Sequence, residues 1–166
     1  MAAEGNPFRG ILFIGLMMTP RGPMVLEFNT RFGDPETQAI LLRLETDILD
    51  LFNASIDGTA DRLHIKMLPG ASACVIAASG GYPGKYTSGL PIEGLTTPTD
   101  PSVVVFHSGT ALKDGRLLTA GGRVLTITAH AADLRNSLEK AYSQLQKISF
   151  QGMQYRRDIG HRALRN

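Results

Sequence analysis

Residues 25–38, "VLEFNTRFGDPETQ", restrict most strongly how this chain can fold. Apolar and polar side chains alternate along "LEFN", as in a half-buried strand, and the Gly-Asp-Pro sequence then ends the strand. Asp34 is a typical N-cap and Pro35 a typical first residue of a helix, which we predict to run to about residue 44. Because "GILFIGLMMT" and "PRGP" precede this stretch, residues 10–30 are predicted to form an antiparallel hairpin.

The polar side chains of this stretch indicate metal and phosphate chemistry. Glu27 and Asn29 are two residues apart, so we predict that they share one face with Val25, with Cβ atoms roughly 7 Å apart. One carboxylate and one amide oxygen suit a hard cation such as Mg²⁺. Arg31 has the same parity and a planar guanidinium that suits phosphate, and the predicted helix start beyond it is a natural anion site. The alternative is a solvated polar face followed by an ordinary helix cap.

The remaining elements predict an α+β fold with two lobes, residues 1–60 and 61–166. The first lobe continues with a helix that Thr46 caps and Gly58 ends. Asp114-Gly115 between two strand-like runs favours a type I′ hairpin turn. The apolar face of the first-lobe helix is predicted to contain Ile48, Leu49, Leu51, Phe52 and Ile56. Four further strands and an amphipathic helix are predicted at residues 62–67, 71–78, 102–109, 123–131 and 134–148.

The composition argues against several classes of partner. A net charge of +2 and the absence of Trp do not favour nucleic acid binding. No apolar run approaches the ~20 residues of a membrane span, so no membrane partner is expected. Cys74, the only cysteine, lies in an apolar segment and is predicted to be a small core residue of a cytoplasmic protein.

Two stretches of the second lobe are candidates for anion binding. The glycines before Arg123 would let backbone N–H groups approach an anion, which the Arg123 guanidinium would also attract. A β-bulge with an exposed arginine is the alternative. In "YRRDIG", an ion pair between an arginine and Asp158 is predicted to fix the carboxy-terminal segment. The loop "GYPGKYTSG" is either a surface turn or the rim of a cleft.

Together these motifs resemble those of the phosphoribosylamine–glycine ligases, a family of the ATP-grasp superfamily. The resemblance is carried, in colinear order through essentially the whole chain, by "FRGILFIGLMMTPRGPMVLEFNTRFGDPETQ", "GYPGKYTSG", "VFHSGTALKDGRLLTAGGRVL" and "GMQYRRDIGHRAL". It implies the carboxy-terminal part of an ATP-grasp domain followed by a small mixed α/β lobe. It also implies an enzyme of purine biosynthesis that uses ATP and Mg²⁺ or Mn²⁺ to join glycine to 5-phosphoribosylamine through a glycyl phosphate.

The resemblance implies roles for the residues of the first lobe. Glu27 and Asn29 match the family's metal ligands. Together with Arg31 and Gly33 they would hold the metal–nucleotide complex. Arg31 and Asp34 match the catalytic section, and with Gly33 they would lie beside the reacting phosphate and the glycine substrate.

The resemblance also implies a limit to what this chain can do. Gly15 occupies the position at which many ATP-grasp enzymes have a second acid, so two tightly held metals are not expected. From the paired glycines and the guanidinium, Gly122 and Arg123 are the expected substrate contacts of the second lobe, with a phosphate or the glycine carboxylate as the bound group. Family enzymes are much longer, so we expect a carboxy-terminal portion without the ribosylamine-binding lobe, the glycine-rich lid and the ATP-binding lysines.

Such a portion is expected to be inactive alone. The alternatives are another ATP-grasp carboxylate–amine ligase and a non-catalytic remnant that binds nucleotide weakly. The remnant would have an apolar face, left bare by the missing lobes, through which it could self-associate.

Overall fold

An antiparallel hairpin comes first in the fold of this chain, for which a computed structural model describes residues 1–95, 98 and 100–165. Strand β1, Phe13–Thr19, pairs with strand β2, Gly22–Asn29. In the turn between them the hydroxyl oxygen of Thr19 accepts a hydrogen bond from the N–H of Arg21 at 3.2 Å. The hairpin predicted over residues 10–30 is confirmed.

Two helices follow the hairpin. Helix α1, Glu36–Leu41, is shorter than predicted, because Asp34 and Pro35 form a turn before it. Helix α2, Ile48–Asp57, ends at Gly58 as predicted. Gly58 has a φ of 70°, a left-handed conformation that costs glycine little.

The N-cap of α2 is Asp47 rather than the predicted Thr46. The Asp47 carboxylate accepts a hydrogen bond from the N–H of Leu49 at 2.8 Å. The Thr46 hydroxyl is engaged elsewhere, because it accepts a 2.7 Å bond from the N–H of Lys66. A tertiary contact between distant residues therefore decides which of two adjacent capping residues is used.

Residues 62–67 do not form the predicted strand. Ala60–Arg62 is a short 3₁₀ helix, and Met67 pairs with Leu44 only in an isolated antiparallel bridge. The apolar residues alternate here as they would in a strand, but in the described part of the chain only Lys66 and Met67 of this stretch pair with a neighbouring segment, residues 44–46. Without a partner strand, alternation alone does not produce a ladder.

The described residues of the second half of the chain include five strands. They are β3, Ala71–Ala78; β4, Val103–His107; β5, Thr110–Lys113; β6, Arg116–Thr119; and β7, Arg123–Ala131. The first, second and last of these form an antiparallel sheet in the order β3-β7-β4, while β5 and β6 form a separate hairpin. Asp114 and Gly115 join that hairpin with φ values of 50° and 72°, as a type I′ turn requires.

A helix covers one face of the three-stranded sheet. Helix α3, Leu134–Leu145, begins at Asp133, whose carboxylate accepts a hydrogen bond from the N–H of Asn136 at 2.8 Å. Its Leu145 is fully buried in one core with Val75 and Ile127 of the sheet. The second half of the chain thus has its own apolar core.

One extra residue interrupts the pairing of β7. Ala77 lies opposite Leu125 and Ala78 lies opposite Arg123, so Val124 has no counterpart on β3. Because Ala77 and Ala78 point to opposite faces of the sheet, Arg123 and Leu125 do as well. This bulge places Arg123 on the face opposite to the one on which Leu125 packs in the core.

By its internal contacts the described chain divides into two units, one of residues 1–37 and 44–68 and the other of residues 38–43 and those from 69 onward. The lobe boundary at residue 60 stays a prediction. The α+β class is confirmed, because antiparallel strands and separate helices occur in the same chain. No helix in the described part of the chain has the length and apolarity of a membrane span.

Candidate active site

Glu27 and Asn29 lie near the end of β2 and face the same side of the hairpin. Glu27 is opposite Gly15 and Asn29 is opposite Phe13, and these two residues of β1 share a face. Glu27 is exposed and Asn29 is half-buried. A carboxylate and an amide oxygen are thus presented side by side, and both are hard donors of the kind that Mg²⁺ prefers.

Gly15 makes room for the Glu27 side chain. A Cβ atom at Gly15 would lie 3.0 Å from Cγ and 3.7 Å from Oε1 of Glu27, and the first of these separations is too close for ordinary packing. The Glu27 side chain therefore lies across the backbone of β1. The residue opposite Glu27 adds no second carboxylate.

A bulge lies just before Glu27, and it corrects one prediction. Glu27 pairs with Gly15 while Val25 pairs with Leu16, so Leu26 is the extra residue. Gly15 and Leu16 are neighbours on β1 and point to opposite faces of the hairpin. Their partners Glu27 and Val25 therefore also point to opposite faces. The prediction that Val25 shares a face with Glu27 was wrong, because simple alternation does not continue through a bulge.

Arg31 lies beyond the end of β2 and is exposed. Its Nη1 donates a 2.8 Å hydrogen bond to the carbonyl oxygen of Phe32. This bond uses one of the five N–H donors of the guanidinium. The remaining N–H donors of the Arg31 guanidinium are not used in this bond and can bind an anionic ligand.

Gly33 is buried, and the Glu36 carboxylate lies close against its backbone. A Cβ atom at Gly33 would lie 2.9 Å from Cδ of Glu36, so alanine would displace that carboxylate. The Gly33 carbonyl oxygen accepts a 2.9 Å bond from the N–H of Thr37 and a second bond from the Thr37 hydroxyl. Asp34 is exposed in the turn between these residues.

Helix α1 does not provide the anion site predicted at its start. It has six residues, and the N–H of Thr37 in its first turn is already bonded to Gly33. The predicted length was wrong because the chain leaves the helix before Leu44, which pairs with Met67. Too few backbone N–H groups are then aligned to attract an anion.

Close packing accounts for the glycine at position 122. A Cβ atom there would lie 2.6 Å from Cε2 and 3.0 Å from Cγ of Tyr82, so the ring of Tyr82 lies directly against the Gly122 backbone. The carbonyl oxygens of Gly121 and Gly122 each accept a 2.8 Å bond from Ser79. A role of Gly122 in substrate binding stays a prediction.

Arg123 is half-buried on the sheet face that also contains Ile76 and Ala78. The β-bulge, the structural alternative for this stretch, is present at Val124. Glu27 and Asn29 belong to one unit and Arg123 to the other. The surroundings of each residue are therefore described within its own unit.

The predicted Arg–Asp ion pair is present near the carboxy terminus. Arg156 donates to both carboxylate oxygens of Asp158, from Nε at 2.9 Å and from Nη2 at 2.7 Å. These bonds raise the pKa of Arg156 and lower the pKa of Asp158. The Tyr142 hydroxyl donates a 2.8 Å bond to the Arg156 carbonyl oxygen, so the pair is held on α3.

Sequence reasoning missed Tyr82 and Gln154, which lie close to Arg123. The side-chain amide of Gln154 donates a 2.8 Å bond to the carbonyl oxygen of Tyr82. Lys85 and Tyr86, in the same loop as Tyr82, are both exposed. The paired glycines were the only signal, since they indicate close approach without saying which group approaches.

Comparison with family models gives two matches. Residues 72–162 match the C domain of phosphoribosylglycinamide synthetase, and residues 1–37 match the ATP-grasp (A) domain of the same enzyme. The first match alone covers more than half of the chain.

Individual proteins give the same result. The phosphoribosylamine–glycine ligase of Caldanaerobacter subterraneus subsp. tengcongensis is 47% identical over 94% of this chain, which spans 37% of that protein. The ligase of Synechocystis sp. is 46% identical over 99% of the chain and 40% of its own length. The trifunctional purine biosynthetic protein adenosine-3 of Gallus gallus is 47% identical over 99% of the chain and 16% of its length.

Solved structures agree on the fold. The crystal structure of phosphoribosylamine–glycine ligase from Thermotoga maritima matches with a TM-score of 0.81 and 33% identity, covering 95% of this chain and 38% of that one. Biotin carboxylase from Campylobacter jejuni matches with a TM-score of 0.62 and 16% identity over 95% of this chain and 35% of its own. This second likeness concerns the fold alone.

Proposed function

The chain belongs to the phosphoribosylamine–glycine ligase family, and on this premise we propose that it contributes to an ATP-dependent ligase joining glycine to 5-phosphoribosylamine. The chain spans about two fifths of the length of the single-function relatives that it matches, at 37% and 40%. The activity is therefore proposed for an enzyme that contains this chain.

Glu27 and Asn29 are the proposed ligands of Mg²⁺ or Mn²⁺. The observation that carries this assignment is the register of the hairpin, which gives the two oxygen donors a common face while Gly15 leaves space beside Glu27. Hard oxygen donors of this kind fit either cation. When bound, the metal would neutralise charge on the ATP phosphates.

Arg31, Gly33 and Asp34 are the proposed contacts of the reacting groups. The glycine carboxylate attacks the γ-phosphorus of ATP, which yields glycyl phosphate and ADP, and the ribosylamine nitrogen then displaces phosphate from the acyl carbon. The Arg31 guanidinium would bind the negative charge of the transferring phosphoryl group. The exposed Asp34 carboxylate would bind the ammonium group of glycine, and the Gly33 turn sets the spacing between them.

A chimera tests this function. The matching 156 residues of the Caldanaerobacter ligase would be replaced by this chain, and ADP release would be measured with and without glycine and 5-phosphoribosylamine. We expect ADP release that requires both substrates, and a loss of about 100-fold or more in Glu27→Gln. Glu45→Gln, an exposed glutamate outside the site, is the matched control and should keep full activity.

Two results would contradict the proposal. One is a folded chimera without glycine-dependent ADP release, and the other is near-normal turnover in Glu27→Gln. Replacing glycine by other small amino acids and carboxylic acids in the same assay separates this ligase from other carboxylate–amine ligases. The 166-residue chain alone should show no turnover.

Self-association is a second candidate role, favoured by the exposed apolar side chains of the hairpin. Met18 is 74% exposed, Leu26 64% and Phe28 62%. Burial of such a surface by a second copy would be favourable. Sedimentation at rising concentration should show a dimer that Phe28→Lys removes, whereas Leu112→Lys, at a leucine of β5 that is 75% exposed, leaves it intact. A monomer at all concentrations would refute this role.

A further inference from the structure

A cleft of about 460 Å³ lies beside Arg123 in the second unit. This volume is within the usual range for small-molecule sites. Its lining combines aliphatic, aromatic, amide and guanidinium groups, from Ile76, Ala78, Tyr82, Pro83, Arg123, Gln154, Tyr155 and Arg156. No described residue that lines it is acidic.

Arg123 reaches this cleft because of the bulge in β7. In a regular strand Arg123 would share the face of Leu125, which is fully buried in the core. The extra residue Val124 places it instead on the face of Ile76 and Ala78, which form one wall of the cleft. The bulge in the backbone therefore places the positively charged Arg123 side chain at this wall of the cleft.

Arg156 supplies a second guanidinium, oriented by its partner. The bidentate pair with Asp158 fixes the plane of the Arg156 fork and uses two of its five donors. Both side chains are exposed, at 70% and 51%, so the pair itself adds little stability. The adjacent Arg157 lies over the ring of Tyr155, 5.7 Å from its centroid. The described lining of the cleft thus contains two guanidinium groups, those of Arg123 and Arg156.

The aromatic wall is held in place by the backbone. Tyr82 packs on Gly122, and its carbonyl oxygen accepts the Gln154 amide bond. Gln154 is in turn paired with Ala78, through backbone bonds of 2.8 Å and 2.9 Å in the two directions. Hydrogen bonds therefore connect the walls of the cleft to one another. The cleft is preorganised, so a ligand would not have to pay for ordering it.

We propose that this cleft binds the phosphate end of a phosphorylated ribose, which under the proposed function is the 5-phosphoribosylamine substrate. Planar guanidinium forks match phosphate oxygens, and tyrosine and proline rings pack against the face of a sugar. Glycine is too small to fill such a volume. The family resemblance assigns ribosylamine contacts to a lobe that this chain does not contain, so the cleft adds an anchor for the same substrate.

Binding to the 166-residue chain tests the proposal without any catalysis. Ribose 5-phosphate, ribose and inorganic phosphate would each be titrated at millimolar concentration while amide signals of the cleft are followed by NMR. We expect ribose 5-phosphate to bind more tightly than either fragment. Arg123→Gln and Arg156→Gln should each weaken it about tenfold or more, the effect of losing a charged hydrogen bond. Arg116→Gln, at an exposed arginine of β6 outside the cleft, is the matched control.

Three results would overturn the proposal. They are the absence of binding, equal affinity for ribose 5-phosphate and inorganic phosphate, and unchanged affinity in both folded cleft variants. Folding of each variant is checked by its tyrosine spectrum and melting curve.

The chimera separates this proposal from the proposed function. Arg123→Gln should raise KM for 5-phosphoribosylamine and leave KM for ATP unchanged. If Glu27→Gln abolishes turnover while Arg123→Gln has no effect on KM, the function stands and the cleft assignment fails. If the chimera is inactive but ribose 5-phosphate binds as expected, the cleft assignment stands and the function fails.

Discussion

Gly122→Ala should distort the second unit through one contact, the ring of Tyr82. Gly122 is not among the glycines with positive φ, so its backbone can accommodate alanine. The new methyl group would lie 2.6 Å from Cε2 of Tyr82, whereas ordinary carbon–carbon contacts are about 3.5 Å or longer. Because Cδ2 of the ring is nearer still to that methyl group, the ring must move by more than about 1 Å, and we expect a loss of about 1–3 kcal/mol in the free energy of unfolding.

A double-mutant cycle isolates this contact. In a Tyr82→Ala background the methyl group meets no ring, so Gly122→Ala should cost less than about 0.5 kcal/mol there. The four tyrosines of the chain all lie in the second unit and there is no Trp, so denaturant unfolding followed by tyrosine fluorescence reports that unit. Tyr86, Tyr142 and Tyr155 preserve the signal in the Tyr82→Ala background.

Gly115→Ala serves as the control for backbone effects. Gly115 has a φ of 72°, and a Cβ atom added there would meet no other atom within 4 Å, so alanine should cost about 1–2 kcal/mol irrespective of Tyr82. Equal costs of Gly122→Ala in the two backgrounds would refute the reasoning. The strain would then lie in the backbone and not in the ring contact.

Three further predictions concern the core, the acid response and the metal. Leu145→Ala removes a fully buried side chain and should cost about 2–5 kcal/mol, whereas Leu112→Ala, at a residue 75% exposed, should change stability little; equal effects would contradict the assigned core. Hydrogen bonds from Ser102 and Lys140 hold the pKa of Asp100 well below its ordinary value of 3.8, so its contribution to stability is complete above that value and is lost as the pH falls. Asp100→Asn should therefore flatten the acid limb of the unfolding free energy plotted against pH, and an unchanged limb would count against the role of this carboxylate. Under the proposed function, Mn²⁺ added to this chain should broaden the amide signals near Glu27 and Asn29; Glu27→Gln should weaken that effect and Glu45→Gln should not, while broadening that is the same in all three proteins would remove Glu27 from the site.

The sequence predicted the elements whose formation depends on neighbouring residues. The β5–β6 hairpin follows from Asp114 and Gly115, because both adopt the positive φ that a type I′ turn needs. Helix α2 stops at Gly58 for a similarly local reason. In such cases the residue that determines the conformation is present in the segment itself.

The errors come from residues whose state depends on distant partners. Thr46 does not cap helix α2 because its hydroxyl oxygen accepts a hydrogen bond from the N–H of Lys66. Residues 62–66 do not join a sheet because none of the described strands lies beside them. Val25 and Glu27 lie on opposite faces because of a bulge in the pairing of β2 with β1. The sequence of β2 alone does not reveal this bulge. For the same reason the cleft beside Arg123 could not be predicted, since Tyr82 and Gln154 reach it from separate parts of the chain.

The extra residue at position 124 also turns the side chain of Arg123, the first residue of β7, to the face opposite the one it would have in a regular strand. From Leu125 onward the side chains follow the alternation that places Leu125 and Ile127 in the core, whereas Arg123 lies on the opposite face. Substitutions at Arg123 can therefore change the charge of the cleft without altering which residues of β7 pack inward. The charge at position 123 and the packing of the core are therefore set by different residues of the strand.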